Sequence, residues 1–355
     1  MGACLLAAPL LNRGRFSLFA GSLDQYSSLT VDLVRESTVI DMLGLLTLDF
    51  KKLDAWRTGA QSFRPADFQR LRESGITVFH PAVGYTQGDI YRESSADITA
   101  WGAFIDAYPQ YFLRVGCPAD LRRAKTDGKI GIIIGQQNSN HFRTADDVDA
   151  FYKLGQRVSQ LTYRDNALGG GSTDPAEKGL TPYGERVLAR MNQIGMAADI
   201  SHCGDRTTLD VIEASSKPVL ATHSNCRALV PNSARCKTDA AIRKLAAKGG
   251  VMGVTLVRPF VGSGPSVTME NVLDHVDHVV KLVGVEHVGL GTDVDLDGRD
   301  SAVAPRKKYD LDDLRYTRKV LELTEGLIRR KYSKDDIRLI LGGNFQRALT
   351  SIWQA

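Results

Sequence analysis

Two histidines directly follow apolar, strand-like segments, and their positions suggest metal chemistry. His202 follows MAADIS and His223 follows PVLAT, with the helix-forming segment DRTTLDVIEASS between them. A strand, a helix and a second strand form a βαβ unit, whose parallel strands end at one edge of the sheet. Imidazoles on neighbouring strand ends can bind one metal ion. Asp293, which ends a third strand-like segment (VEHVGLGTDVD), adds a carboxylate at the same edge. This pattern is typical of metal-dependent hydrolases.

The segments that carry these residues belong to a longer alternation of strands and helices. From residue 38 to the end of the chain, eight strand-like runs are separated by amphipathic helical segments. Such alternation requires a parallel sheet, and eight units favour closure into a TIM-like (β/α)8 barrel with a single domain. Neither a GxGxxG nor a GxxxxGK[ST] element follows the first strand, which argues against dinucleotide-binding and P-loop folds.

Length and charge narrow the classes of partner. The chain has 355 residues and a formal net charge of +4, without a run of basic residues, so we expect no nucleic-acid surface. No stretch approaches the roughly 18 apolar residues that a membrane span requires. The five cysteines form neither a CxxC pair nor a zinc-finger spacing. Cys203, Cys226 and Cys236 lie near the candidate site, and we expect buried thiols there, with a disulfide or a thiolate ligand as the alternatives.

The N-terminal segment is expected to lie outside the barrel. ACLLAAPLL followed by NRGRF resembles the later part of a secretory signal. We therefore divide the chain into residues 1–20, a signal remnant or an N-terminal arm, and residues 21–355, the barrel. A signal remnant predicts export to the periplasm, whereas an ordinary arm leaves a cytoplasmic location open.

Several ordered segments resemble one known family. The strongest run from GLTPYGERVLARMNQIGMAADISHCG through PVLATHSNCRALVPNSAR, and HVGLGTDVDLDG and LGGNFQRAL are similar as well. On these segments the chain resembles the membrane (renal-type) dipeptidases, peptidase family M19, of the amidohydrolase-like barrels. The resemblance covers nearly the whole chain from about residue 38. It implies a barrel hydrolase of dipeptides with two zinc ions that share a bridging glutamate, and a homodimeric assembly.

The resemblance also implies roles for individual residues. His202 and His223 match the two later histidine ligands of the family's metal centre. Arg235 matches the arginine that holds the substrate carboxylate. Asp293 matches the aspartate that handles the proton of the attacking water or of the leaving amine.

The remaining ligand positions depart from the family pattern. Where an HxD pair should follow Asp41, the chain has Leu43 and Leu45, and Gln137 (or Gln136, with a register shift of one) replaces the bridging glutamate. Tyr163 replaces a substrate-contacting histidine. Leucine cannot bind a metal, and a glutamine amide is a weak, non-bridging oxygen donor for zinc. We therefore predict a divergent branch that binds one zinc ion rather than two, with binding of no metal as an open alternative.

Four further residues are candidates for contact with the substrate. His80, in ITVFHPAVG, follows the second strand and could also rebuild a missing ligand position. His141 lies four residues beyond Gln137 and is either a substrate contact or a loop histidine. Gln137 and Asn138 either face the substrate or satisfy backbone groups of their own loop.

Two functions from different classes follow from these residues. The first is a dipeptidase-like, metal-dependent hydrolase that cleaves an amide bond in a small carboxylate-bearing substrate, a dipeptide or an N-acyl amino acid. The second is a metal-free barrel that acts as a small-molecule binding protein or as a lyase or isomerase. The missing HxD pair and glutamate favour the second, whereas the retained histidines, Arg235 and Asp293 favour the first.

Overall fold

The computed structural model describes residues 15–16, 26–59, 62–84, 87–174, 178–300 and 307–353. Within these residues a parallel sheet closes on itself as a TIM-like barrel, as predicted from the alternation of strands and helices. The closing contact joins Leu290 on the last strand to Asp41 on the first. The protein is therefore a single-domain α/β barrel.

Eight barrel strands are present in the described residues, and we number them in chain order. They are β1 (Ile40–Asp41), β2 (Val78–Phe79), β3 (Ile130–Ile132, continuing as Gly135–Gln136), β4 (Val158–Gln160), β5 (Ala197–Asp199), β6 (Leu220–Ala221), β7 (Val251–Val254) and β8 (Val288–Leu290).

Strand β3 changes neighbours along its length. Its first part pairs with β2 on one side and with an extra strand, Phe112–Arg114, on the other. Its second part pairs with β4, which continues the barrel. The extra strand therefore lies outside the barrel wall, a position that the alternation of elements does not predict.

Helices cover the outside of the barrel. The α-helices span Ser28–Glu36, Phe50–Thr58, Pro65–Glu73, Ile90–Ala107, Pro118–Thr126, Asp147–Leu154, Pro182–Ile194, Asp205–Ala214, Asp239–Ala247, Arg258–Val261, Met269–Val283, Lys319–Arg329, Lys334–Arg338 and Asn344–Trp353. The helix Pro182–Ile194 follows Thr181, whose side chain accepts a hydrogen bond from the Gly184 amide. The same helix ends at Gly195, whose φ of 77° suits a residue without a Cβ.

The N-terminal prediction falls largely outside the described residues. Of residues 1–20 only Arg15–Phe16 are described, and they pair antiparallel with Tyr26–Ser27. None of the helices in the described part of the chain combines the length and the apolar character that a membrane crossing requires. Cys203, Cys226 and Cys236 are buried as free thiols, so the expectation of buried thiols is confirmed.

Candidate functional site

The two histidines meet at the carboxyl ends of β5 and β6, on the face of a TIM barrel where active sites lie. His202 and His223 each follow their strand, and the strands are held in register by the pairing of Leu220 with Asp199. The Nε2 atoms of the two rings are 3.1 Å apart. The ring centroids are 5.1 Å apart, and the ring planes are inclined by 55°. The structure thus brings together the two residues that the sequence singles out.

A hydrogen-bond chain fixes which nitrogen of His223 carries the proton. The Thr222 hydroxyl donates to Asp199 Oδ2 at 2.7 Å and lies 2.8 Å from His223 Nδ1. Because the hydroxyl proton goes to the carboxylate, Nδ1 of His223 must donate to Thr222 Oγ1. The Nε2 lone pair of neutral His223 is therefore free and directed at His202. The bridge between the two rings then requires a proton on His202 Nε2 or a cation shared by both.

Sequence reasoning did not identify Asp199 and Thr222, yet they organise this site. The Asp199 carboxylate accepts hydrogen bonds from the backbone N–H and hydroxyl of both Ser201 and Thr222. Asp199 is itself buried. In metal sites such a carboxylate-to-histidine connection orients the ligand and tunes its basicity. The sequence feature that could have identified them is that Asp199 and Thr222 are polar residues at the ends of otherwise apolar strands.

Buried cations lie next to the histidine pair. Burial, with the nearby Arg235 and Lys237, holds the pKa of His202 well below its usual value. Burial and the same two cations, together with His202 and His80, lower the pKa of His223. Both rings are therefore neutral at neutral pH, which is the form that binds a metal.

Lys237 is a further residue at the candidate site that sequence reasoning missed. Its ammonium donates to the Cys203 carbonyl at 2.8 Å and to the Thr208 hydroxyl at 3.1 Å. Burial lowers the pKa of Lys237 to about 8. Because Cys203 directly follows His202, this contact fixes the turn that presents the His202 ring.

Arg235 lies behind His223, and two of its five N–H groups donate to neighbouring protein groups. It donates from Nη1 to the Ser224 hydroxyl at 2.8 Å and from Nη2 to the His223 carbonyl at 2.6 Å. The guanidinium lies over the Phe260 ring, 5.4 Å from its centroid. Its Nε atom is buried without a hydrogen-bond partner among the described residues. The Nε–H of a fixed guanidinium is thus left for a ligand.

Asp293 follows β8 in an unusual backbone conformation. Its φ of 55° lies in the left-handed region, which is uncommon for residues other than glycine and occurs often at functional sites. The backbone N–H donates to the Leu43 carbonyl at 2.8 Å. Arg299 donates to the Asp293 carboxylate at 3.1 Å. Burial raises the pKa of Asp293, although Arg299 and Arg235 oppose that shift, so the carboxyl takes up a proton more readily than an exposed aspartate.

Tyr163 forms a wall of the site. Its ring stacks on His202 with centroids 4.1 Å apart and planes inclined by 23°. The side chain is half-buried. Stacking restricts rotation of the imidazole and leaves its Nε2 edge directed at His223.

His80 lies at the end of β2 inside the barrel. Its Nδ1 donates to the Met42 carbonyl at 2.6 Å, which leaves a lone pair on Nε2. That Nε2 is buried and has no partner among the described residues. Burial lowers the pKa of His80, and this effect outweighs the opposing influence of Asp199 and Asp41. The ring lies against Gly135, where any side chain would collide with it.

The other candidates on the loop after β3 are held by protein groups. Gln137 donates from its amide to the Ala82 carbonyl at 2.8 Å. Asn138 accepts from the Asn166 amide at 2.9 Å. His141 is buried between Phe142 and Phe151, with Nε2 3.1 Å from Gln156 Oε1. Burial lowers the pKa of His141 to about 4. The structure therefore places His141 against an outer helix, away from the histidine pair.

The residues present fit one metal ion better than two. Two nitrogens bound to one tetrahedral zinc, each at 2.0–2.1 Å, lie about 3.3 Å apart, close to the separation of the histidine Nε2 atoms. At the end of β1, Leu43 and Leu45 are buried apolar side chains and supply no donor. Among the described residues, no group of three or more His, Cys, Asp or Glu side chains is placed to hold a metal together. The residues present therefore do not fit a two-metal centre. Their fit to a single ion rests on the Nε2 atoms of His202 and His223.

Comparison with solved structures agrees with the fold. An amidohydrolase from Pseudomonas aeruginosa superposes with a TM-score of 0.79 at 28% identity, over 92% of this chain and 99% of that one. The probable dipeptidase PvdM from the same organism gives a TM-score of 0.79 at 19% identity, over 92% and 98% of the two chains. These likenesses support the barrel assigned above.

Sequence comparison identifies the family. Dipeptidase tcpJ of Claviceps purpurea is 30% identical over 238 residues, which are 66% of this chain and 53% of that protein. Dipeptidase aclJ of Aspergillus oryzae is 27% identical over 313 residues, 86% and 70% of the two proteins. The chain thus spans about half the length of the first relative. A family model for membrane dipeptidases matches residues 28–355. With that match, the chain belongs to the membrane dipeptidase family, peptidase family M19.

Proposed function

We propose that this chain is a dipeptidase-like hydrolase that cleaves an amide bond in a small substrate with a free carboxylate. The observation that carries the proposal is the pair of neutral imidazoles with Nε2 atoms 3.1 Å apart at the catalytic face. Dipeptides and N-acyl amino acids are the substrate classes that match the fixed guanidinium of Arg235. The family assignment supports a metallopeptidase, and zinc as a single ion is part of the proposal.

His202 and His223 would hold the ion, and Thr222 and Asp199 keep the His223 lone pair directed at it. A bound zinc ion supplies an acidified water and polarises the scissile carbonyl. Tyr163 restricts the rotation of His202 and narrows the site. The protein residues thus supply a preorganised pair of donors.

Arg235 and Asp293 act on the substrate. The unpaired Nε–H of buried Arg235 would donate to the substrate carboxylate, where an ionic partner strengthens the hydrogen bond. The raised pKa of Asp293 suits it to carry the proton from the attacking water to the leaving nitrogen. Gln137, Asn138 and His80 are proposed as further substrate contacts, of which His80 has an unpartnered nitrogen in the barrel interior. His141, which is buried between Phe142 and Phe151, is not included.

Metal analysis with matched histidine variants tests this proposal. Mass spectrometry should find about one zinc per chain in the wild type and none in His223→Ala. Hydrolysis of a dipeptide and N-acyl amino acid panel should fall by at least about a thousandfold, since metal catalysis contributes several kcal/mol. His278→Ala, on an outer helix, should keep both metal and activity. Full metal retention in His223→Ala would contradict the assignment of the ligands.

A metal-free barrel is the second candidate, as a small-molecule binding protein or as a lyase or isomerase. It is favoured because no third ligand accompanies the two histidines among the described residues. Arg235 and Lys237 also make the surroundings of the pair positive, which suits an anionic occupant. A wild-type protein without metal after zinc loading and without dipeptidase activity would favour this candidate.

Export and a homodimeric assembly are also proposed. The apolar segment within residues 1–20 supports export to the periplasm. N-terminal sequencing of protein recovered from a periplasmic fraction tests export, since processing would remove that segment. Sedimentation analysis tests the dimer, and a monomer at micromolar concentration would contradict it.

A further inference from the structure

The aspartate proposed as the proton carrier is held by an arginine that follows it in the same loop. Arg299 ends the segment DVDLDGR, which begins at Asp293, and its side chain folds back onto that residue. The Nη2 atom of Arg299 donates to the main-chain carbonyl of Asp293 at 2.8 Å and to Oδ1 of its carboxylate at 3.1 Å. Because Nη2 carries two hydrogens, a single nitrogen ties the side chain of Asp293 to its own backbone.

These contacts stabilise a backbone conformation that an aspartate seldom adopts. With a φ of 55°, Asp293 is one of two residues other than glycine in the left-handed region of the described chain. Its N–H donates to the Leu43 carbonyl at 2.8 Å, and its C=O accepts from Arg299. Both main-chain groups of the residue are therefore fixed, as the persistence of such a conformation requires.

The two carboxylate oxygens of Asp293 have different surroundings. Oδ1 is paired with the Arg299 guanidinium, whereas Oδ2 accepts no hydrogen bond in the part of the chain that the structure describes. The side chain of Asp293 is 14% exposed, so the carboxylate is not sealed from solvent. One oxygen is thus anchored by the protein, and the other is left for proton transfer.

The backbone that carries Arg299 is itself fixed. Asp295 accepts from the backbone N–H groups two and three residues further along the chain, at 3.1 and 2.7 Å, and these bonds make the turn that brings the chain back. The Arg299 N–H then donates to Asp310 Oδ2 at 2.9 Å. Because its backbone is already ordered, Arg299 loses less conformational entropy when its side chain holds Asp293.

Charged side chains from four parts of the fold act on the Asp293 carboxylate. They are Arg299 on its own loop, Arg235 on the loop after β6, Asp41 on β1 and Lys319 on an outer helix. Burial raises the pKa of Asp293, and Arg299 is the strongest of the influences that lower it. Within the described residues, Arg299 is also the group that donates a hydrogen bond to this carboxylate. Loss of Arg299 should therefore make Asp293 harder to ionise.

We propose that Arg299 is a positioning residue for proton transfer, which anchors Oδ1 of Asp293 so that Oδ2 takes a proton from the attacking water. Oδ2 gives this proton to the leaving nitrogen as the C–N bond breaks, and the carboxylate returns to its ionised form. The inference rests on the proposed hydrolase function, because it concerns the same carboxylate. The hydrogen bonds of the Arg299 guanidinium go to Asp293 rather than to either histidine, so its substitution should leave metal binding intact.

The pH dependence of hydrolysis tests this role. Because Asp293 must be ionised to accept a proton, kcat/KM should rise with pH through its pKa. Arg299→Gln keeps an N–H donor but removes the charge, so this acidic limb should move to higher pH by about one pH unit or more. At neutral pH kcat should fall by up to about 100-fold, with zinc content unchanged. Arg299→Lys retains the charge and should return the limb to within about half a pH unit of the wild type.

A matched arginine separates this role from general destabilisation. Arg227 pairs with Asp205 at the same face of the barrel, and its side chain is 22% exposed against 24% for Arg299. Its side chain donates to Asp205 and to main-chain carbonyls rather than to Asp293. Arg227→Gln should therefore leave the acidic limb in place. An unmoved limb in Arg299→Gln, or an equal displacement in both variants, would overturn the proposal.

A titration that does not depend on hydrolysis keeps the inference distinct from the proposed function. Nuclear magnetic resonance of protein labelled at the aspartate carboxyl carbon reports the pKa of Asp293, whose signal is assigned by its absence in Asp293→Asn. This pKa should rise by about one or more in Arg299→Gln. Wild-type protein without zinc and without dipeptidase activity would contradict the proposed function, whereas an unchanged pKa of Asp293 in Arg299→Gln would contradict the role of Arg299.

Discussion

We use the word corner for the place where the ends of two neighbouring barrel strands lie side by side. At the corner formed by β5 and β6, Asp199 accepts hydrogen bonds from the backbone N–H and the hydroxyl of Thr222, at 2.9 and 2.7 Å. At the corner formed by β8 and β1, Asp41 accepts the same two bonds from Thr292, at 2.8 and 2.6 Å. At each corner, therefore, an aspartate at the end of one strand holds a threonine that follows the neighbouring strand. We call this arrangement the Asp–Thr clasp.

The two clasps differ in whether metal-binding residues follow them. After Asp199 and Thr222 the chain continues to His202 and His223, whose Nε2 atoms meet. After Asp41 it continues to Leu43, which is fully buried and cannot bind a metal. The clasp is therefore a structural feature that orients the residues following its aspartate and its threonine in the chain. Whether those residues can bind a metal depends on their own side chains.

A buried lysine accompanies each clasp. Lys319 lies 3.9 Å from the Asp41 carboxylate, and both side chains are fully buried. Lys237 lies near the other clasp but donates to the Cys203 carbonyl and the Thr208 hydroxyl. The β8–β1 corner thus carries an internal cation beside its carboxylate, whereas at the β5–β6 corner the lysine supports the histidine turn.

The largest difference between the corners is expected in stability. Asp41→Asn removes the carboxylate beside buried Lys319, and breaking a buried pair costs about 3–5 kcal/mol. Asp199→Asn disturbs hydrogen bonds without removing a close ion pair, at about 1–3 kcal/mol. Urea unfolding of both variants measures the difference. Equal losses of stability in the two variants would mean that the pairing of Asp41 with Lys319 does not stabilise the fold.

Substitution of the two clasp threonines should distinguish the effect of a clasp on metal binding from its effect on structure. Thr222→Val removes the acceptor of the His223 Nδ1 proton, and loss of such a contact lowers metal affinity or activity by about 10- to 100-fold. Thr292→Val breaks the matching clasp, which precedes the proposed proton carrier Asp293 rather than a metal ligand, so the zinc affinity should stay within about twofold even where hydrolysis falls. Zinc titration measures this difference between the two variants. A loss of zinc affinity in Thr292→Val equal to that in Thr222→Val would remove the functional distinction between the corners.

Lys237 should make the stability of the protein depend on pH. The pKa of Lys237 is lowered to about 8 in the folded chain, against about 10.4 when unfolded. Between these values the unfolded chain binds more protons, so stability rises with pH in this window and the charged lysine is costly below it. From pH 7 to pH 10 the wild type should gain about 2 kcal/mol relative to Lys237→Met. Lys244→Met, an exposed control, should show no such change. If the difference in stability between the wild type and Lys237→Met did not change with pH, the lowered pKa of Lys237 would be contradicted.

The smallest effect concerns the aromatic wall at the β5–β6 corner. Tyr163→Ala removes the stacking on His202, and aromatic pairs contribute about 0.5–1.5 kcal/mol. We expect a threefold to tenfold loss in kcat/KM, with Tyr163→Phe within about twofold because the ring remains. If Tyr163→Phe lost as much as Tyr163→Ala, the hydroxyl rather than the ring would be the functional group.

Much of the barrel was predictable because its signals are local. Apolar runs separated by amphipathic segments predicted the eight strands. The helix Ser28–Glu36 and the edge strand Phe112–Arg114 were missed. The strand has only three residues, and its position depends on pairing with β3 rather than on its own sequence.

The candidate site was predictable only in part. His202 and His223 could be recognised from their positions after apolar strands, but Asp199 and Thr222 could not be recognised as a clasp. Their hydrogen bonds cross between strands, so they depend on the register of β5 against β6. Lys237 was missed for the same reason, because its partners lie 29 and 34 residues away in the chain.

The clasp between Asp41 and Thr292 joins residues 251 positions apart. A ribosome adding about 5–20 residues per second needs roughly 13–50 seconds to make that stretch. During this time β1 has no β8 to pair with, and the apolar side chains of Leu43 and Leu45 lack their final surroundings. The corner that carries Leu43 and Leu45 is therefore also the last part of the barrel wall that can close during synthesis.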